Sequence, residues 1–173
     1  MSIYSVTGGQ NLSADLLAGD TLTGTSPNDS VTVTSTSGSL LLVTGIETLI
    51  GNAIGTDVAT LGGTSGNTIL VDLIETLTGS ATLDVVGTFS TVGATILVSS
   101  IETLIGNTGN DVYSVTGGST MLVSSLETLI GVGNSTDIIT LGSAGNTLLV
   151  SALETLTGGA GTDVVTLTGG NTT

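Results

Sequence analysis

Two columns of acidic residues recur along this chain with one spacing, and that spacing constrains the fold more than any other feature. Glutamates followed by Thr-Leu stand at Glu47, Glu75, Glu102, Glu127 and Glu154, at intervals of 28, 27, 25 and 27 residues. Asp20, in "GDTLTG", occupies the same slot 27 residues before Glu47. A second column, Asp29, Asp57, Asp84, Asp111, Asp137 and Asp163, precedes β-branched runs at intervals of 28, 27, 27, 26 and 26. Together they take 12 of the 14 acidic residues, leaving only Asp15 and Asp72 outside the pattern. A fixed period of this size identifies a repeat architecture.

Each period holds the same parts. A first strand reads "DVATLGG", "DVYSVTGG" or "DVVTLTGG", and a second reads "NTILV", "ATILV", "STMLV" or "NTLLV". A short third strand reads "IETLI", "LETLI" or "LETLT", and turns rich in Gly, Asn and Ser join them. Short runs of Val, Ile and Thr bounded by Gly and Asn are β by pattern, and no stretch shows a helical period. The expected fold is all-β: one parallel β-solenoid domain over residues 1–173. With one coil per repeat, it would have about six coils of about 27 residues and a stacked length of roughly 29 Å. An antiparallel sandwich would not need the same side chain at every repeat.

Stacking would turn sequence columns into ladders. Leu42, Leu70, Leu97, Leu122 and Leu149 form one, and Val43, Val71, Val98, Val123 and Val150 the next. Neighbouring strand residues face opposite ways. Either one column points outward as an apolar stripe, or a bulge turns both inward. The same logic would stack the carboxylates of each acidic column about 4.8 Å apart, at roughly 1 to 3.5 kcal/mol per like-charged pair. The chain has no Lys, Arg or His to relieve this, and its net charge is −14. Divalent cations are the partners such a surface favours. Nucleic acid is disfavoured, because phosphate neutralisation needs Lys or Arg. An anionic membrane would repel the chain, and no apolar run is long enough to span one. There is no cysteine, hence no disulfide or thiolate metal site. Aromatics are 2%, so the interior must be filled by small aliphatic residues.

"GNTGND" (106–111) and "GGAGTD" (158–163) fit the form Gly-x-x-Gly-x-Asp, and "GGAGTDVVT" (158–166) extends it to a nonapeptide. Here the chain resembles the RTX, or haemolysin-type calcium-binding, repeats. The resemblance implies a secreted parallel β-roll that holds Ca²⁺ in stacked turns. Carried over, it makes Asp111 and Asp163 ligands and gives the turns to Gly106, Gly109, Gly158 and Gly161. The wider Asp column, with Asp29, Asp57, Asp84 and Asp137, completes the candidate metal set, and Ca²⁺ is the expected cofactor. Four of these turns depart from the family form. "GNAIGTD" (51–57) and "GVGNSTD" (131–137) carry an extra residue, and "GTSPND" (24–29) and "GSATLD" (79–84) lack the second glycine.

Neither end carries an atypical polar coil of the kind that caps repeat proteins. "IYSVTGG" (3–9) and "DVVTLTGG" (163–170) are versions of one first-strand phrase. The expectation is therefore of uncapped ends and head-to-tail assembly of this chain into filaments, with lateral bundling. The expected function is that of an extracellular structural protein of a matrix, surface-layer or adhesive fibre. The N-terminus has no signal-peptide pattern, and the resemblance implies export by a type I system. The alternative is a monomeric surface-binding module, an adhesin or an ice binder, built on the threonine column at 21, 48, 76, 103, 128 and 155. An enzyme is not expected, because acid–base chemistry on a β-helix wants a base or cation beside the carboxylates and the acids here follow the repeat.

Overall fold

In the computed structural model, which describes residues 1–132 and 135–169, the chain is a parallel β-solenoid. Part of the "GVGNSTD" turn and the last four residues of the tail lie outside the described residues. The described residues form nineteen strands, numbered β1 to β19 in chain order. Odd-numbered strands, from β1 (Ile3–Val6) to β19 (Val164–Leu167), make one sheet of ten. Even-numbered strands, from β2 (Asn11–Ala14) to β18 (Thr155–Thr157), make the other sheet of nine. Every pairing is parallel and joins a strand to the next but one. A coil is thus two strands, one per sheet, and β1, β2, β18 and β19 end the sheets.

The coil is shorter than the sequence repeat. Ile3 pairs with Thr21, Ser39 with Asp57 and Val85 with Thr103, an offset of 18 residues each time. About nine coils of 18 residues therefore replace the expected six of 27. The repeat holds three strand phrases and the coil only two, so each repeat spans one and a half coils. β7 (Asp57–Leu61) lies in the odd sheet, and its sequence equivalent β10 (Val85–Thr88) lies in the even sheet.

Alternation along the strands places the core. β8 (Thr68–Asp72), β11 (Thr95–Ser99), β14 (Thr120–Ser124) and β17 (Thr147–Ser151) all bury their second and fourth residues. The valine column at 43, 71, 98, 123 and 150 is buried, and the leucine column at 42, 70, 97, 122 and 149 is 37–47% exposed. Consecutive leucines lie on opposite sheets and do not stack. Leu42 pairs with Thr21 and Thr60, Leu97 with Thr76 and Ser114, and Leu149 with Thr128 and Thr166. The apolar stripe is thus broken by hydroxyl residues. The interior is filled by Leu, Ile and Val, with Tyr113 the one buried aromatic among the described residues; its hydroxyl donates to Thr88 Oγ1 at 2.8 Å.

Candidate functional site

The acids gather in the turns along the two edges where the sheets meet. One edge carries Asp29, Glu47, Asp84, Glu102, Asp137 and Glu154; the other carries Asp20, Asp57, Glu75, Asp111, Glu127 and Asp163. Along each edge the turns cycle through three types. A neutral turn is followed by an aspartate turn, then by a glutamate turn. Like residues are therefore three coils apart, about 14 Å. The expected ladders of identical carboxylates are replaced by Asp–Glu pairs on adjacent coils, separated by neutral turns.

The backbone of the turns explains the acids. Parallel strands leave turn N–H groups without ladder partners, and a buried N–H needs an acceptor. Asp29, Asp57, Asp84, Asp111 and Asp137 are buried. In Asp29, Oδ2 accepts from the N–H groups of Thr25 (2.9 Å) and Ser26 (3.0 Å) in its own turn, and Oδ1 from Gly9 (3.0 Å) in the preceding coil. In Asp111, Oδ2 accepts from Asn107 N–H (2.6 Å) and Oδ1 from Ala94 N–H (2.8 Å). Asp84 and Asp163 repeat the pattern, with the backbone and side-chain amides of Asn67 and Asn146 both donating to Oδ1. Asp29, Asp84, Asp111, Asp137 and Asp163 so fasten their own coil to the one before, while Asp57 accepts within its own turn, from Asn52 N–H.

The glutamate reaches back from the coil after. Oε2 of Glu47, Glu75, Glu102, Glu127 and Glu154 accepts the backbone N–H of Asp29, Asp57, Asp84, Asp111 and Asp137 in turn, at 2.6–2.8 Å. The aspartate carbonyl accepts in return from the next coil, as Asp29 does from the N–H of Glu47 and Thr48. Asp20 does the glutamate's work with a shorter side chain, taking Ser2 N–H on Oδ1 and Leu17 N–H on Oδ2. One Asp–Glu unit so ties three successive coils.

Two backbone features let the turns stack, and sequence reading had not marked the first. The residue before the buried Ile or Leu of each glutamate turn is left-handed: Gly45, Leu73, Ser100, Ser125 and Ala152 have φ between 53° and 63°. Its carbonyl oxygen fills the place where a Cβ would stand on the first glycine of the aspartate turn one coil earlier: Gly24, Gly51, Gly79, Gly106 and Gly131. The second glycine of Gly-x-x-Gly-x-Asp packs against the neutral turn of the preceding coil, Gly109 on Gly93, Gly55 on Gly38 and Gly161 on Gly145. All three lie on one edge. The edge with Asp29, Asp84 and Asp137 carries no second glycine there.

In these turns burial and hydrogen-bond donors act on the carboxyls in opposite directions. Burial pushes Asp29 up, but the N–H groups of Ser26, Thr25 and Gly9 more than reverse it and hold the carboxyl below the ordinary range. The Asn146 side chain, with other donors, lowers Asp163, and the Leu17 and Ser2 N–H groups lower Asp20. Asp137 goes the other way. Burial raises it, the Ser119 N–H only partly compensates, and Glu154 adds to the rise. Asp57 keeps Oδ1 buried without a hydrogen bond, because the N–H of Ser39, which corresponds to Ala94, donates to the Thr56 carbonyl.

Among the described residues no three acidic side chains are grouped to hold one metal ion. Calcium takes six to eight oxygens, and the aspartate oxygens are occupied largely by backbone N–H groups. An open hollow of about 720 Å³ over the even sheet brings one carboxylate, Glu47, beside Asn28, Thr48 and Thr68. No protein-family model, curated protein or solved structure matches the chain.

Proposed function

We propose that this chain is an extracellular structural protein, a β-solenoid subunit that stacks head to tail into filaments of a matrix, surface-layer or adhesive kind. The observation that supports this most is the parallel stacking itself: among the described residues every strand pairing is parallel and joins one coil to the next, so one coil offers the next the same edge. A parallel edge is a template for another parallel strand, and heterologous contacts that do not close make filaments. The lack of Lys and Arg leaves no trypsin-type cleavage site, which suits a protein exposed outside the cell.

In this reading the Asp–Glu units are cross-ties between coils, and divalent cations act as counterions along the edges. Electron microscopy of the purified chain, with Ca²⁺ and again with chelator, tests it. Filaments in both conditions, with an axial repeat of about 45 Å per subunit for nine to ten stacked strands, are the expected result. Filaments only with Ca²⁺ would move the cation from counterion to ligand, and single particles in both conditions would overturn the reading. A second reading, a monomeric adhesin or ice-binding module, is favoured by one observation. Thr60, Thr78 and Ser99 stand side by side in one row on the outer face of the odd sheet. Single particles that show thermal hysteresis would establish the ice-binding form of it.

A further inference from the structure

We infer that the outer face of the odd-stranded sheet is a lateral docking surface whose occupant is the same face of a second copy of this chain. The inference shares with the proposal above only the identity of the partner, for this is a side surface and not an end.

Charge separates the two faces. Every acid of the odd sheet sits at its border, in a turn or, for Asp20 and Asp57, as the buried first residue of a strand, and no outward strand position carries a charge. The even sheet carries Asp72, half-exposed at the end of β8. Packing the even face against its own copy would desolvate that carboxylate with no basic side chain to pair it, which is costly. The odd face has no such group.

Its relief and chemistry suit self-packing. Leu40, Leu42, Leu97 and Leu149 are exposed on it, with the smaller Thr60, Thr76, Ser114 and Thr128 in the flanking positions. Leucines standing above threonine and serine rows offer knobs and hollows to an inverted copy, as in sheet-on-sheet packing about 10 Å apart. None of the outward side chains is long, so ordering them costs little rotamer entropy. The charged residues depleted at interface cores, Lys, Glu and Asp, are missing from its outward strand positions, while serine, also depleted there, stands at Ser99, Ser114 and Ser151.

The area is sufficient. Ten strands of about five residues give a face of about 48 Å by about 16 Å, roughly 770 Å². A stable specific interface buries about 800 Å² on each partner. Face-to-face docking leaves the acidic edges at the rim, with those of the two copies about 10 Å apart, close to the Debye length at 0.1 M salt. Added salt should therefore strengthen this association.

The experiment compares Leu97→Glu on the odd sheet with Leu122→Glu on the even sheet. Both residues occupy the same place in the second-strand phrase and are similarly exposed, so their effects on folding are matched. Sedimentation gives mass against protein and salt concentration, negative-stain microscopy gives particle width, and circular dichroism checks the fold. The wild type and Leu122→Glu should form double-width particles that salt promotes. Leu97→Glu should stay single-width, with dimer affinity reduced at least tenfold. If Leu97→Glu fails to fold, Ser114→Asp, on the neighbouring outward position, carries the same expectation. Single-width wild type at every concentration, or equal behaviour of the odd-face and even-face variants, overturns the inference. End-to-end assembly is read from particle length and not width. Short double-width particles would overturn the filament reading alone, and long single-width ones this inference alone.

Discussion

At the scale of single residues, the acids and glycines are two halves of one joint. The carbonyl of Ser125 occupies the space beside Gly106, and Asp111 Oδ2 closes the same space from its own turn. Gly106→Ala should cost about 3 kcal/mol, since a methyl there overlaps backbone that cannot yield without shifting a coil. Ser125→Gly should instead raise stability by about 0.5 to 1 kcal/mol, because it relieves a left-handed non-glycine residue against a gain in unfolded-chain entropy. Urea midpoints would read both. The aspartates separate by pH. Asp29 is depressed in the fold, so its contribution is present above the ordinary carboxyl range and is lost as pH falls through its lower folded value. Asp29→Asn should therefore destabilise near neutral pH, where its amide would face the Thr25 and Ser26 N–H groups, and the deficit should shrink in acid. Asp137 is raised, so its ionisation costs stability above its folded value, and Asp137→Asn should be neutral or stabilising near neutral pH. Thermal melts of the two variants at neutral pH and at about pH 3 check the opposite signs.

At the scale of strands and coils, the parallel solenoid was legible and its coil length was not. Strand phrases record environment: "ATILV" and "NTILV" share an alternation of buried and exposed places, and that alternation is what repeats. They do not record which phrases are neighbours in space. Three phrases make the repeat while two close the coil, so equivalents such as Leu70 and Leu97 land on opposite sheets. The missing signal lay between the acidic columns. Asp29 to Glu47, Asp57 to Glu75 and Asp84 to Glu102 are each 18 residues apart, the length of a coil. The uneven match of the turns to the Gly-x-x-Gly-x-Asp form was a second signal, since the second glycines at 55, 109 and 161 mark one edge. The left-handed corners stayed hidden because Leu73, Ser100, Ser125 and Ala152 are residues that give no hint of positive φ. This geometry predicts how the chain tolerates deletion. Removing residues 57–110, 54 in all, takes out three coils and sets Asp111 where Asp57 stood. Circular dichroism should show a folded, shorter solenoid, with stability reduced roughly in proportion to the coils lost. Removing residues 57–74 takes only one coil, but sets a glutamate turn where the aspartate turn belongs. It should destabilise more per residue removed than the longer deletion.

At the scale of the whole molecule, all but a few carboxylates stand on two narrow edges of a body with no basic side chain. The Asp–Glu units gain backbone hydrogen bonds at the cost of mutual repulsion, and that repulsion has no internal remedy. Its range decides what salt can do. Adjacent charges about 5 Å apart lie inside the Debye length of about 8 Å at physiological salt, while the units about 14 Å apart lie outside it. Raising sodium chloride from about 0.02 M to about 0.5 M should therefore first remove repulsion between units and then weaken it within them. On the scale of about 2 to 4 °C per kcal/mol for a chain of this size, a rise in melting temperature of roughly 5 °C is expected. Calcium at matched ionic strength discriminates between its two roles. As a counterion it should shift the melting temperature gradually, without saturating at low concentration, and Asp111→Asn should leave the shift intact. A ligand held in the turns would saturate, would stabilise by mass action on the folded state alone, and would lose its effect in that variant. The turn geometry argues for the gradual response, because a cation entering beside Asp111 would compete with the N–H groups of Asn107 and Ala94 for the same oxygens.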